Sequence, residues 1–159
     1  MHASHRFTVA VHVLALAMVA REEAEGRAIT SEQMAHSVNK HPVVIRRVLG
    51  SLRQAGLVTS QPGPGGGWRL NRGPAEITLC DVYRAIEQEP FFPVPRLDSA
   101  GTCPIGQSLP AVLERCFYDA EAAMAAHLGN VTIADVIASI KEEGLYGRAG
   151  SPHQTITHG

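Results

Sequence analysis

The sequence predicts a mainly α-helical fold with one small β-hairpin, and three observations point to it. Apolar residues recur every three or four positions through several segments, which is the period of an amphipathic helix. Gly56 follows one such segment, where a glycine can end a helix in the left-handed conformation. The run GPGGGW at residues 63–68 supplies the backbone freedom of a tight turn between strands at 57–60 and 68–72. A helical bundle followed by such a hairpin is a winged helix-turn-helix, an architecture that commonly binds duplex DNA.

Length and composition allow this fold without requiring it. The 159 residues fit one domain, or one domain with a dimerising arm; 45% of them are hydrophobic and 18% are charged. No apolar run reaches the roughly 18–20 residues of a membrane span, and no signal-peptide pattern is found. The three cysteines have no regular spacing and make no disulfide framework. We therefore expect a cytoplasmic protein with no membrane partner.

The net charge of −1 hides an asymmetry between the two halves of the chain. Residues 1–74 contain nine Lys and Arg against four Asp and Glu, or +5, whereas residues 75–159 contain five against eleven, or −6. A basic part that carries the helices and the hairpin is typical of a DNA-binding protein, and random clustering is the alternative. We expect a winged helix-turn-helix domain at 1–74, a loop and dimerisation helices at 75–146, and a disordered tail at 147–159.

The basic half contains three predicted helices. Residues 6–20 are apolar on nearly every face of a helix, so we expect this helix to be the buried centre of the domain, with His12 in the core. Thr30 begins the second helix as its N-cap, and Gln33 completes a capping box. Pro42 opens the third helix at its first position, where the missing N–H costs nothing.

The third helix is the predicted recognition helix. A helix fits the major groove of DNA with its N-terminal residues against the base edges. Lys40, His41 and Val43 lie at the end that would enter the groove. Arg46 and Arg47, one turn further on, can reach guanine edges or phosphates. The alternative is that both arginines are solvated surface charges.

The acidic half begins with a short helix and an irregular loop. Thr78 caps a fourth helix over residues 79–88. Residues 89–103 carry three prolines and a glycine, and loops of this length are usually functional or disordered. A long helix follows, from around Ser108 or Pro110 to Leu128.

The long helix has an apolar stripe that the small DNA-binding core cannot cover. Pairing with the same helix of a second chain would bury this stripe, so we expect a homodimer. A last helix follows at residues 133–143. The predicted dimer interface comprises Leu109, Val112, Cys116, Phe117, Ala120 and Met124.

Three segments of the chain resemble one known family. They are LRQAGLVTSQPGPGGGWRL at 52–70, EITLCDVYRAIE at 76–87 and CPIG at 103–106. From about Arg6 to Glu143 the chain is similar to the Rrf-type bacterial winged-helix transcription regulators, typified by the iron–sulfur cluster regulator IscR, the nitric-oxide-sensing repressor NsrR and the cysteine-metabolism repressor CymR. The resemblance implies a homodimer on a near-palindromic operator, long helices that cross between subunits, and a sensing segment in the loop before them.

The resemblance also implies which positions contact DNA. On the helix ends these are Arg6, Pro42, Val43, Arg46 and Arg47. On the wing they are Gly63, Pro64, Gly65, Gly66, Gly67 and Trp68. One position departs from the pattern, because several relatives place an arginine before the Gly-Pro of the wing to enter the minor groove, and Pro62 stands there in this chain. Arg69 or Arg72 would then supply phosphate contacts.

The cysteines separate two possible sensing chemistries. Cluster-binding members of the family have three closely spaced cysteines before the long helix, whereas residues 89–110 here offer one thiol, one aspartate and no histidine. A cluster needs four ligands, so we expect no iron–sulfur cofactor. Cys103 is interpreted as a redox-reactive thiol at a helix start, and the alternative is a small residue with no sensing role. Cys80 and Cys116 are interpreted as core residues.

No catalytic or metal-binding constellation is recognised in the sequence. The eight histidines include no HxxxH pair, and the PGPGGG run lacks the Lys-Ser/Thr of a phosphate-binding loop. We expect a sequence-specific transcription regulator that represses its targets, and not an enzyme. Two alternatives stay open, namely a winged-helix module that binds protein and a regulator that senses through an iron–sulfur cluster.

Overall fold

The computed structural model describes residues 3–23, 26–87 and 103–144. They form helices and a two-stranded sheet in the order α1 Ala3–Glu23, α2 Ser31–Val38, α3 Pro42–Gln54, β1 Val58–Gln61, β2 Gly67–Leu70, α4 Leu79–Ile86, α5 Pro104–Leu128 and α6 Ile133–Glu142. The predicted class, mainly α with a small hairpin wing, is confirmed. The predicted loop up to residue 102 and the predicted tail at 147–159 lie outside the described residues.

Helix α1 is the centre of the fold, as its apolar sequence predicts. It packs against α2, α3, α4, α6 and β2, and Val13 and Leu14 are completely buried. The prediction that His12 is a core residue is wrong, because this side chain is exposed. His12 lies on the side of α1 that faces α2, where its Nε2 is 3.4 Å from Ser37 Oγ.

Local capping groups set the start of α2 and α3. Thr30 Oγ1 accepts a hydrogen bond from the Gln33 N–H at 3.2 Å, and Gln33 Oε1 accepts from the Thr30 N–H at 2.9 Å, which confirms the capping box. Pro42 occupies the first turn of α3, as predicted. His41 is the N-cap of this helix, and its Nδ1 accepts from the Val43 N–H at 3.2 Å. Helix α3 packs through Ile45, Val48, Leu49 and Leu52, which are buried.

The hairpin begins directly after α3. Gly56 has a φ of +70°, so it takes the left-handed conformation that was predicted for the helix end. Strands β1 and β2 are antiparallel, with Val58 opposite Leu70 and Gln61 opposite Gly67. Strand β1 begins one residue later than predicted, because Leu57 still donates its N–H to the Leu52 carbonyl at the end of α3. Strand β2 begins one residue earlier and ends two residues earlier than predicted.

A third segment joins the hairpin, which the sequence did not indicate. The Trp68 N–H donates to the Ile29 carbonyl at 2.8 Å, and the Ile29 N–H donates to the Trp68 carbonyl at 3.1 Å. The residues before α2 thus form a bridge with β2 and attach the wing to the helical core.

Helices α4 and α6 begin side by side with matching caps. Thr78 and Thr132 each accept a hydrogen bond from the N–H three residues on, and the two threonines form an antiparallel bridge. The hydrogen bond from the Thr132 hydroxyl holds the pKa of the Asp135 carboxyl below its ordinary value. Apolar residues of both helices belong to the same core as α1 and α3, namely Val82, Ile86, Ile133 and Ile137. The hydrophobic core therefore runs across the boundary that charge predicts at residues 74–75.

Helix α5 begins earlier than predicted. It starts at Pro104, with Cys103 as N-cap, and not at Ser108 or Pro110. Proline suits the first turn of a helix, so Pro104 can open α5, and Pro110 then lies inside it without ending it. None of the residues of α5 is buried, although the helix contacts α4.

Candidate nucleic-acid interface

The N-terminal end of α3 projects polar and apolar side chains into solvent. Lys40 and His41 are exposed, and Pro42 is half-buried. Val43 is 51% exposed although it lies in a helix whose other face forms the core. An exposed aliphatic side chain at this place can contact a thymine methyl group, while the lysine can contact a phosphate. The three residues predicted at the entering end of the recognition helix, Lys40, His41 and Val43, therefore do lie together at one helix terminus, beside Pro42.

Two arginines follow on the exposed side of α3 but have different surroundings. Arg46 Nη2 donates to Glu32 Oε1 of α2 at 2.5 Å, and this bond holds the pKa of the Glu32 carboxyl below its ordinary value. Within the described ranges, no carboxylate forms an ion pair with Arg47. Arg47 is exposed, so its full charge is available to a partner.

Sequence reasoning missed Glu32. The contact joins two residues fourteen positions apart, and it depends on how α2 crosses α3. No local pattern of the sequence encodes that crossing.

The tip of the wing needs its glycines for two physical reasons. Gly63 and Gly65 have φ angles of +89° and +73°, which side chains with a Cβ rarely adopt. Gly66 needs space instead: a Cβ there would overlap the carbonyl oxygen of Gln61 and lie 2.7 Å from that of Gly63. The tip, including Pro64, is therefore a compact backbone surface of the kind that can approach a phosphate chain closely.

The residues after the tip divide between the core and the surface. Trp68 is half-buried and packs against the hydrophobic core. Arg69 points away from the core and is exposed. Arg72 Nη1 lies 3.9 Å from Asp81 Oδ2 of α4, so its charge is partly balanced within the chain. Arg6 is half-buried in the second turn of α1.

The three cysteines lie in different environments. Cys80 is buried, as predicted, and Cys103 is exposed at the N-cap of α5. Cys116 is exposed in the single chain, so the prediction that it is a core residue is wrong. It lies on the outer face of α5, turned away from the core. No group of three or more metal-ligating side chains comes together among the residues that the structure describes.

The residues of the predicted dimer interface lie on two different faces of α5. Phe117 and Met124 are half-buried, on the side of the helix toward the rest of the chain. Leu109 and Val112 are 42% and 44% exposed. The outward face therefore comprises Leu109, Val112, Cys116 and Ala120, with Ile105 at its N-terminal end.

This arrangement of helices, wing and long helix matches a known family. The sequence profile of Rrf2, described as an iron-dependent transcriptional regulator, matches residues 3–139. The chain belongs to the Rrf2 family. YwnA of Bacillus subtilis, named as an HTH-type transcriptional regulator, is 35% identical over 133 residues, which are 83% of this chain and 94% of YwnA.

Solved structures of Rrf2-type regulators share the fold. A transcriptional regulator from Lactobacillus plantarum has a TM-score of 0.71 and 26% identity, covering 89% of this chain and 93% of that one. CymR, the global cysteine regulator of B. subtilis, has a TM-score of 0.60 and 22% identity, covering 84% and 94% of the two chains. This Rrf2 protein is a DNA-binding transcription regulator. Among the described residues, no helix is long and apolar enough to cross a membrane.

Proposed function

We propose that this Rrf2 protein is a homodimeric repressor, and not an enzyme, that binds a near-palindromic operator in the bacterial cytoplasm. The observation that carries the proposal is the exposed N-terminal end of α3. Lys40 lies just before this helix, and Val43 and Arg47 project from it, while its opposite face is anchored in the core. In each subunit α3 enters the major groove, and the wing lies against the neighbouring backbone with Arg69 on a phosphate.

A DNA-binding measurement with one arginine variant tests this proposal. Duplexes from the region upstream of the protein's own gene are titrated by fluorescence anisotropy at several salt concentrations. We expect Arg47→Ala to lower affinity about tenfold and to reduce the slope of log K against log salt by about 0.9 per subunit, since one phosphate contact is lost. Arg84→Ala, which removes an exposed arginine of α4, is the matched control and should change neither value.

Two further results would contradict parts of the proposal. If wild-type protein binds every duplex equally and binding barely responds to salt, the proposal of operator recognition is wrong, and a winged-helix module that binds protein becomes the favoured alternative. Repression itself is measured by transcription in vitro from the bound promoter, which should fall as protein is added. A rise in transcript would make the protein an activator.

The environment of Cys103 supports a second part of the proposal, a thiol-based signal. This thiol is exposed at the N-cap position of α5 and makes no hydrogen bond to the helix, so its sulfur is accessible to an oxidant. Hydrogen peroxide would oxidise the Cys103 sulfur to a sulfenic acid with release of water. One added thiol would then condense with the sulfenic acid to a mixed disulfide, again releasing water, and a further thiol would reduce that disulfide and restore the Cys103 thiol. The added oxygen or disulfide alters the first turn of the dimerisation helix, and with it the spacing of the two recognition helices.

Two measurements test the thiol proposal against a cluster. Anaerobically purified protein should show no visible absorption, because only a bound iron–sulfur cluster is coloured. Peroxide should weaken operator binding of the wild type, and a thiol reductant should restore it. Cys103→Ser should bind DNA normally without this response, whereas Cys80→Ser, at the buried thiol, should keep it. A response that survives in Cys103→Ser would remove Cys103 from the mechanism.

A further inference from the structure

Glu32 of α2 and Arg46 of α3 form an ion pair across the helix-turn-helix. Arg46 Nη2 donates to Glu32 Oε1 at 2.5 Å, and Ser31 Oγ donates to Glu32 Oε2 at 3.2 Å. Ser31 is buried, with 8% of its surface exposed. The hydroxyl group that holds the carboxylate is therefore itself fixed, and both oxygens of Glu32 have a partner.

The pair contributes little to the stability of the fold. The side chains of Arg46 and Glu32 are 57% and 60% exposed, and water screens ion pairs of this kind strongly. What the pair does change is the position of the guanidinium group. A long arginine side chain on a helix surface samples many rotamers, whereas the bond to Glu32 restricts it to those that keep Nη2 beside α2.

The position and charge of the paired arginine suit a base edge better than a phosphate. The guanidinium group retains unused N–H donors for a bidentate contact with O6 and N7 of guanine. The adjacent Glu32 carboxylate would repel a phosphate, and it cancels much of the long-range attraction of Arg46 for the DNA backbone. Arg47 has no such carboxylate within the described ranges and keeps its full charge.

We propose that Glu32 is a specificity-determining positioning residue, which holds the Arg46 guanidinium group for a base edge and away from the phosphates. Arg47 supplies the attraction that does not depend on sequence. The proposal rests on the proposed function, since it requires α3 to lie in the major groove.

The test compares the base preference of full-length variants. Wild-type protein, Glu32→Ala, Glu32→Gln and Arg46→Ala each select from a pool of duplexes with a randomised centre, and sequencing gives the preference at every position. Affinity for the selected duplex and for a scrambled duplex of equal composition is then measured at several salt concentrations. The matched control is Glu22→Ala, which removes a carboxylate from another exposed ion pair, that with Lys141.

The expected change is confined to one base pair in each half-site. At that base pair, Glu32→Ala should lower the preference for the selected base over the other bases about tenfold. A loss of this size is within the range of base discrimination by one bidentate arginine contact. Its affinity for the scrambled duplex should rise and depend more steeply on salt, because the charge of Arg46 is no longer balanced. Glu32→Gln keeps an acceptor oxygen and should retain part of the discrimination. Glu22→Ala should leave the preference at that base pair unchanged.

A double-mutant cycle separates positioning from a general effect. Arg46→Ala should lose preference at the same base pair, and adding Glu32→Ala to it should cause no further loss, because Glu32 acts only through Arg46. Circular dichroism should show that every variant is folded, as expected for exposed side chains.

The proposal is overturned by an unchanged base preference in Glu32→Ala or by an equal loss of preference at all positions. If Arg46→Ala alters the preference and Glu32→Ala does not, Glu32 has no positioning role although the proposed function stands. If the wild-type protein selects no sequence at all, the proposed function and this inference are both wrong.

Discussion

Tyr83 connects three helices through one side chain. Its ring packs edge to face against Phe7 of α1, with the ring centres 6.4 Å apart. Its hydroxyl donates to Glu121 Oε1 of α5 at 2.9 Å. Burial and the hydrogen bond to a carboxylate raise the pKa of Tyr83 to about 12, because both disfavour the phenolate. The residue thus attaches α5 to the core against which α3 packs.

Replacing Tyr83 by Phe should therefore affect stability and alkaline titration together. Tyr83→Phe should lower the free energy of unfolding at neutral pH by about 1 kcal/mol, the usual contribution of one hydrogen bond. Since the folded pKa is raised, the stability that Tyr83 contributes is present below pH about 10 and is lost as the pH rises towards 12. Chemical denaturation at several pH values measures this loss, which Tyr83→Phe should no longer show.

A spectroscopic control accompanies this variant. Phenolate absorbance is recorded as the pH is raised. Because the pKa of Tyr83 is raised, its phenolate should form at the highest pH, and Tyr83→Phe should remove the latest part of this titration curve. Tyr118 is 74% exposed, and Tyr118→Phe should leave the latest part of the curve in place. If both variants lose the same part of the curve, Tyr83 does not have a raised pKa.

Single residues of the candidate interface were predictable where their role is local. Pro42 at the start of α3 and the Thr30 cap follow from backbone rules, and Val43 from its place off the apolar stripe. The pairing of Arg46 with Glu32 was not predictable, because it depends on the crossing of two helices. Whether these side chains touch DNA stays a prediction that the DNA-binding experiments test.

The wing shows how one element depends on glycines for different reasons. Gly66→Ala should destabilise the protein by about 2 kcal/mol, since the new Cβ meets backbone oxygens of Gln61 and Gly63 that cannot move without breaking the turn. Gly50→Ala lies inside α3, where a Cβ meets nothing within 4 Å. It should stabilise the protein by about 1 kcal/mol, because alanine favours a helix. Thermal unfolding measures the melting temperature of each variant. A shift of the same sign in both variants, relative to the wild type, would contradict the prediction.

Elements were predictable where capping residues mark their ends. Helices α2, α4 and α6 begin at threonine caps that the sequence displays. The start of α5 was predicted too late, because a proline that is tolerated inside the helix was interpreted as its beginning. The bridge between Ile29 and Trp68 was not predictable, since Ile29 lies in no recognisable strand pattern.

At the scale of the whole molecule, the hydrophobic core and the charge pattern divide the chain differently. Charge changes sign near residue 74, yet α4 and α6 share one core with α1 and α3. Helix α4 of the acidic half is therefore packed directly onto α1 and α3, and α6 is packed onto α1. A movement of α5 can reach α1 through the contact of Tyr83 with Glu121 and Phe7.

The outward face of α5 gives the last prediction, which concerns dimerisation. Val112→Glu places a charge on this face at a residue that is 44% exposed in the single chain. The fold of each subunit should therefore survive, while an apolar interface with a second copy would have to bury an unpaired carboxylate. We expect monomers by sedimentation velocity, and operator affinity lowered at least about a hundredfold, because the two half-sites are no longer bound together.

A matched variant decides whether the loss comes from this face or from charge alone. Ala122→Glu adds the same charge at an exposed position of α5 outside the stripe and should leave the dimer and its DNA affinity unchanged. Unaltered sedimentation of Val112→Glu would show that the subunits associate through another surface. The exposed leucine and valine of α5 would then need a different partner, because apolar side chains in a continuous row on a helix are rarely left to water.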